Sequence, residues 1–473
     1  MKVVVLGGGI SGLSAAYFLA QRKANVTLIT GNKLGGWIQT IRRNNEFIET
    51  GPRSLRPVGD AAYVTLEMIH QLGLEKEILG IPASSPAAQN RFVYYDGVMN
   101  NLSSNPVAML TSNQPILKGF IPALLTEALK PKSTAMDESI HSFVSRRLGS
   151  FIADNMVSAV IHGIYAGDTK KLSIRSTMNF LYNLEKQYGS ITKGIIASMF
   201  TKKREPYRST NPETQQFIER IKQFKIYSFK KGMNVLTDAL ESKLKSMGVQ
   251  IVPEKCIDVQ FSASSIKIQT ESRLIESDKV ICAIPSRELA KVVSDSTLKE
   301  KLDSIGSVTV GVVNLVYKGD VLKAKGFGFL VPQSEAGKLD IIGVVYDSCA
   351  FPEHSLGQEK TTRMTVMMGG HAFESKFGNP DLVKKEDLLA IAKQSVEQVL
   401  GISSGSLLDS FVSIQKNCIP QYYVGHEDRV QDIHNHLKKL SNDRFVVTGA
   451  SFNGVSVNDC IYNSRSAATK MSQ

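Results

Sequence analysis

Residues 3–12, VVVLGGGISG, constrain this chain more than any other stretch. Three valines and a leucine without a charge read as a buried parallel strand. Gly7, Gly9 and Gly12 follow in G-x-G-x-x-G spacing, and Leu13, Ala16, Tyr17 and Ala20 then recur at helical spacing. Strand, glycine turn and helix in succession give this pattern its meaning. In such a unit Gly7 makes the tight turn, Gly9 lets backbone approach a pyrophosphate, and Gly12 lets helix pack closely on strand. The helix N-terminus turns free N–H groups and partial positive charge toward the phosphates. The bland alternative is a glycine turn in an α/β protein with no nucleotide.

Length allows two or three domains around a large core, since the chain has 473 residues. Hydrophobic residues at 42% and charged residues at 21% place it among ordinary globular proteins. No apolar run is long enough to span a bilayer. The glycine strand starts at residue 3, so no cleavable presequence is expected, and an organelle address would be internal or absent. Lys+Arg is 56 against Asp+Glu 44, a formal charge of +12, which suits an anionic membrane face or an acidic small molecule. The basic residues are scattered apart from Lys202, Lys203 and Arg204, and no nucleic-acid signature appears, so no nucleic acid is expected. The five cysteines (256, 282, 349, 418, 460) lie far apart, with no metal-ligand spacing. They are expected reduced and mostly buried, with no metal. The eight histidines show no paired arrangement.

NVTLIT (25–30) predicts the second strand. Its end usually carries an acid that holds an adenosine ribose; here Thr30 stands there, followed by Gly31 and Asn32, and a hydroxyl holds a ribose less strongly. Gly35-Gly36 is a second close-approach turn, and FIETGPR ends a strand in a Gly-Pro turn followed by Arg53 and Arg56. A plain nicotinamide domain does not need the second glycine turn. From about 95 to 210 the character changes. NPVAMLTSNQPILKGFIPALLTEALKPK (105–132) mixes prolines with apolar residues, and Ile191, Ile195, Ile196, Met199 and Phe200 share a helical face that runs into TKKR. Such a face suits insertion into one membrane leaflet; the alternative is that it packs inward. Residues 213–240 return toward helix, and VQIVPEKCIDV (249–259) predicts two short strands about Pro253. KVICAIP, SVTVGVVNLVY, GFGFLVP, DIIGVVYD and RMTVMMGG predict further strands, the last four in a mixed or antiparallel sheet roofing a cavity. RFVVTGASFNGVSVNDCI (444–461) repeats the strand–glycine–helix theme, with a helix starting near Val455.

GGGISG, LGGWI and GPRSLRP together resemble the protoporphyrinogen oxidase family, whose wider group is the flavin amine oxidases. AAQNRF (87–92), DESIHSFVSRRLG (137–149), GIYAGDTKKLSIRS (163–176), GFGFLVP (326–332), KNCIPQY (416–422) and GASFNGVSVNDCI (449–461) extend the likeness end to end, most to the mitochondrial type. The resemblance implies an α/β (α+β) fold of three parts. An FAD-binding domain with a Rossmann-like βαβ unit would take 1–85, 211–285 and 426–473. A mixed-sheet substrate domain would take 86–100 and 286–425, and an α-helical membrane-binding domain 101–210.

It further implies an enzyme that takes six electrons from protoporphyrinogen IX in three steps, with O2 as acceptor. FAD would be held by Gly7, Gly8, Gly9, Ile10, Ser11, Gly12, Thr30, Trp37, Gly51, Pro52, Arg53, Ser54, Ile257 (through its backbone), Ala450, Val455, Ser456 and Val457. Arg91 would bind a propionate, Phe327 and Leu330 would sandwich pyrrole rings, Gly328 would permit close approach, and Met367 would add adaptable surface. Ordinary strand core is the alternative for these apolar residues, and an ion-paired or surface arginine for Arg91. No acid or base is assigned, and a covalent flavin link at Cys460 is not expected. A homodimer, monotopic membrane association, ferrochelatase as partner and the intermembrane-space side of the mitochondrial inner membrane follow from the family alone. The family's Gly-Gly before Met233 is here Lys231-Gly232, so that turn is expected to differ. Other readings are a coproporphyrinogen oxidase or flavin amine oxidase of the same fold, and an inactive FAD-binding scaffold.

Overall fold

A computed structural model describes residues 1–31, 33–102, 114–201, 205, 207–262 and 264–473. The basic cluster at 202–204, Asn32 and the first part, 105–113, of the Pro-rich run 105–132 lie outside the described residues.

A five-stranded parallel sheet is drawn from distant parts of the chain, in the spatial order Phe445–Val447, Lys279–Cys282, Lys2–Leu6, Asn25–Ile29, Gln250–Val252. Val3, Val4, Val5 and Leu6 are all buried, since apolar side chains cover both faces. Helices Ile10–Gln21 and Val457–Ser472 pack side by side on one face. A three-stranded antiparallel sheet (Cys256–Phe261, Ile266–Thr270, Leu274–Ser277) extends this region. The two short strands expected about Pro253 are therefore present, but they belong to different sheets.

The second large unit is a seven-stranded mixed sheet, in the order Leu407–Pro420, Ser307–Lys318, Thr361–Gly370, Gly343–Val345, Gly328–Leu330, Phe92–Tyr95, Val98–Asn101. All neighbours are antiparallel except Gly328–Leu330 beside Phe92–Tyr95. Helix Lys385–Leu400 covers one face through Leu388, Ala392 and Val396.

Within 213–240 the structure corrects the reading. Helix Pro212–Ile221 is followed by strand Phe224–Phe229 before helix Asn234–Ser246 begins. That strand pairs with Ile78–Pro82, and burial of Ile226, Tyr227 and Phe229 outweighs helix propensity. The Lys231-Gly232 turn needs glycine only at its second position. Gly232 has φ +81° and faces Thr40 and Glu49, whereas Lys231 is exposed.

Helices fill much of 115–200. Their core is polar as well as apolar: Arg147 is fully buried between Glu127 and Glu185, at 3.2 and 2.5 Å. Glu127 in turn accepts the N–H groups of Ile191 and Thr192 at 2.9 Å each, capping helix Ile191–Phe200 from a neighbouring helix. Ile191 packs inward, unlike the rest of the face expected for it; Ile196, Met199 and Phe200 are exposed. Of the cysteines only Cys282 and Cys460 are buried, fewer than expected, and none is bonded to another.

Candidate functional site

Two helix N-termini meet at the carboxyl edge of the parallel sheet. Helix Ile10–Gln21 begins at Gly9 without a side-chain cap, and its first internal bond is Leu13 N–H to Gly9 O. The N–H groups of Ile10, Ser11 and Gly12 find no backbone acceptor among the described residues. Helix Val457–Ser472 begins at Ser456, which forms a capping box with Asp459. The expected start near Val455 is thus two residues later. Tyr422 Oη donates to Ala450 O at 2.5 Å and fixes the turn before that helix.

Backbone alone floors the space between them. Gly35 N–H donates to Gly8 O at 2.8 Å, which brings the two glycine turns together. A Cβ on Gly36 would lie 3.0 Å from Gly9 Cα, and one on Gly9 would meet nothing nearer than Gly36 Cα at 3.8 Å. Gly12 has a different need: a Cβ there would run into the Gly7 carbonyl, so it is the close strand–helix contact.

Thr30 is buried under Gly8, and its hydroxyl bonds Lys33 O at 3.4 Å. Gly31 lies against Lys255, so the segment carrying Ile257 adjoins the end of the second strand. The ladder shifts register between Cys256 and Asp258, which leaves Ile257 as the extra residue of a bulge with an exposed side chain. Trp37 is 41% exposed, unusual for an indole, and its carbonyl closes on Gly51. Pro52, Arg53 and Ser54 are all half-buried. Cys460 is buried within the C-terminal helix.

The residues expected to meet substrate lie in or beside the seven-stranded sheet, and its register decides which of them come together. Leu330 pairs with Gly343, Gly343 with Met367, Met367 with Val312 and Leu330 with Val93. These residues form one row on one face. Leu330 and Met367 flank Gly343, and both are half-buried beside fully buried neighbours. Arg91, two residues before Val93, stands at the edge of the next row on that face, beyond Gly328. Phe327 does not join the Leu330 row. Its N–H bonds Asn90 O at 3.0 Å, and its ring packs near Ile81, Ala88 and Phe351, at the Arg91 end. Gly328, at φ +139°, makes that change of direction possible.

Sequence reading missed the polar part of this face. In the row of Gly328 lie Val345, Thr365 and Asn314. Thr365 Oγ1 is 2.7 Å from Asn314 Oδ1 and 2.6 Å from Asp347 Oδ2, and Asp347 Oδ1 accepts from Arg53 Nη1 at 2.7 Å. Thr365 has one hydroxyl proton to give, so it donates to Asp347 and accepts from the buried Asn314 amide, whose nitrogen and oxygen are interchangeable. Nearby, Glu49 is almost wholly enclosed. Burial pushes its carboxyl up to about 7, against the pull of the Met233 N–H, the Thr40 hydroxyl and Arg53. A narrow cleft lies here, lined by Glu49, Arg53, Asn314, Asp347, Phe351 and Arg363 among others. A signal for Asn314 and Thr365 did exist: each is a polar residue inside an apolar strand.

The chain is similar to known proteins along nearly its whole length. Residues 10–472 match the model of the family described as flavin containing amine oxidoreductase. The chain is 36% identical over 478 residues to protoporphyrinogen oxidase of Homo sapiens, covering 99% of this chain and 98% of that one. It is 33% identical over 500 residues to protoporphyrinogen oxidase of Schizosaccharomyces pombe, with 100% and 98% covered. Among solved structures, cyclohexylamine oxidase from Brevibacterium oxydans superposes with a TM-score of 0.68 at 12% identity, over 100% of this chain and 98% of that one, a likeness of fold.

Proposed function

We propose, for a chain that belongs to the flavin-containing amine oxidoreductases and carries their flavin, that it holds FAD and oxidises protoporphyrinogen IX to protoporphyrin IX. The observation that carries this reading is the row Val93–Leu330–Gly343–Met367, an apolar floor with a guanidinium at its edge. A flat apolar macrocycle bearing propionates fits a floor of that kind. The residues also suit an extended dinucleotide. The Gly9–Gly36 floor has no side chains, and the first helix is uncapped.

Bound FAD supplies the two-electron acceptor, and O2 carries the electrons on to peroxide, three times for six electrons. The chain's part is to bind and orient. Arg91 receives a propionate through paired hydrogen bonds. Leu330 and Met367 keep water from the ring, and Gly343 leaves the slot between them open. Helix Val457–Ser472 turns its N-terminus toward the negative charge gained on reduction. Arg53, paired with Asp347, fixes the loop beneath the flavin side.

The helical part supports docking to an anionic membrane. Leu125, Leu129, Phe180, Met199 and Phe200 are exposed on helices that contact one another or on the adjoining turns, and among the described residues no helix is long and apolar enough to cross a membrane. The mitochondrial inner membrane, a homodimer and ferrochelatase as partner are part of the same reading, and rest on the family resemblance of the sequence motifs alone. Flotation with anionic vesicles is the check on docking; recovery wholly in the soluble fraction contradicts it. The main test is aerobic incubation of the yellow protein with protoporphyrinogen IX, read by porphyrin fluorescence. Fluorescence should grow with enzyme concentration. A yellow protein that gives only the uncatalysed rate would instead be a scaffold.

A further inference from the structure

The arginines around the pouch divide into two kinds. Arg53 is paired with Asp347 at 2.7 Å, and Arg363 with Glu46 at 3.0 Å. Neither Arg56 nor Arg91 has a carboxylate within ion-pair distance among the described residues, and both are exposed. An arginine on a protein surface often lacks a partner, so this alone decides nothing.

Their placement decides more. Arg56 follows Leu55, which exchanges two backbone hydrogen bonds with Tyr227, at 2.8 and 2.9 Å. Tyr227 lies in the two-stranded sheet formed by Ile78–Pro82 and Phe224–Phe229. Ile81 and Ile226 from the same sheet pack against Ala87, Ala88 and Phe327, directly before Arg91 in chain or space. The Arg56 carbonyl is also held, by Asn458 Nδ2 at 2.9 Å, to the first turn of the C-terminal helix. Two backbone tethers thus hold Arg56 beside the small sheet, and Ala87 and Ala88, just before Arg91, pack against the same sheet. Both arginines therefore stand at the margin of one cluster, and partial burial of Arg91, then the positive charge of Arg56, lower the pKa of Arg91. Like charges held together unfavourably, with no anion of the protein between them, make a site for an anion from outside.

We propose that Arg56 is the second anchor of the ligand, so that Arg56 and Arg91 each receive one carboxylate of a dicarboxylate at the mouth of the pouch. The inference rests on the porphyrinogen reading, because protoporphyrinogen IX carries two propionates. It makes the pouch selective for the diacid over its esters, and it fixes which edge of the macrocycle faces the solvent.

The test uses Arg56→Ala, Arg56→Lys and Arg91→Ala of the full-length flavoprotein. The probes are protoporphyrin IX and its dimethyl ester, with binding read by quenching of porphyrin emission. Alanine at position 56 keeps the backbone carbonyl that Asn458 holds, so flavin content should not change. Arg56→Ala should weaken the diacid about tenfold or more, the loss expected for one charge-assisted pair of hydrogen bonds, and leave the dimethyl ester unchanged. Arg56→Lys should recover part of the loss, since it keeps the charge but not the fork. An Arg56→Ala protein that binds the diacid as wild type does overturns the proposal, as does equal weakening of diacid and ester. If Arg91→Ala weakens the diacid and Arg56→Ala does not, only the role of Arg56 falls. A wild-type flavoprotein that binds neither porphyrin refutes the porphyrinogen reading and the proposal together.

Discussion

The floor proposed for the flavin and the pouch proposed for the substrate are built by opposite means. The floor is backbone: Gly8, Gly9, Gly35 and Gly36 bring two turns together, and the first N–H groups of the adjoining helix have no backbone acceptor among the described residues. The pouch is side chains held by sheet register: Leu330 beside Met367 across Gly343, Arg91 at the edge, and Asn314, Thr365 and Asp347 in a hydrogen-bonded line. A backbone site fails when a side chain is added. A side-chain site fails when one is taken away, and should then keep its flavin.

The largest expected effect therefore comes from adding bulk to the floor. Gly12→Val places a branched side chain against the Gly7 carbonyl and pushes helix from strand. The purified variant should be colourless, with flavin content near zero. A yellow variant with normal flavin content would show that the close strand–helix contact is not what holds the dinucleotide.

A smaller effect should come from pH at the boundary between the two regions. Glu49 is raised to about 7 in the folded protein, above its unfolded value, so the folded state holds the proton more tightly. Stability contributed by the neutral carboxyl is complete below the unfolded pKa and is lost as pH rises toward 7. The loss is on the order of 3 kcal/mol. Glu49→Gln keeps an acceptor for Met233 N–H and should flatten the decline in Tm across that window. An unchanged slope would place the titrating group elsewhere.

The smallest effect sharpens the pouch. Leu330→Ala removes half-buried apolar surface from the row and should raise KM roughly tenfold, equivalent to about 1.4 kcal/mol, with flavin content unchanged. A fall in flavin content instead would mean that floor and pouch are not separable.

The same contrast explains what could be read without coordinates. A backbone site is compressed into a few residues, so Gly7, Gly9 and Gly12, and the repeat near Gly449 and Gly454, were legible as strand, turn and helix. The pouch has no such compression. Leu330, Met367 and Arg91 come from three segments, and register, which sequence does not state, makes Leu330 and Met367 neighbours and excludes Phe327 from their row. Thr30 and Lys231 looked like departures, yet Thr30 is enclosed by the turn and Lys231 is exposed. The strand Phe224–Phe229 was missed because its partner, Ile78–Pro82, is far away in sequence. Asn314 and Thr365 were passed over as strand core, although a lone amide in the middle of SVTVGVVNLVY needs partners.

One measurement reaches the central claim most directly: anaerobic mixing of the purified yellow protein with protoporphyrinogen IX while the flavin absorbance is followed. The account predicts bleaching of the bound flavin by substrate, with colour returning when oxygen is admitted. A flavin that stays oxidised with substrate in excess would contradict it.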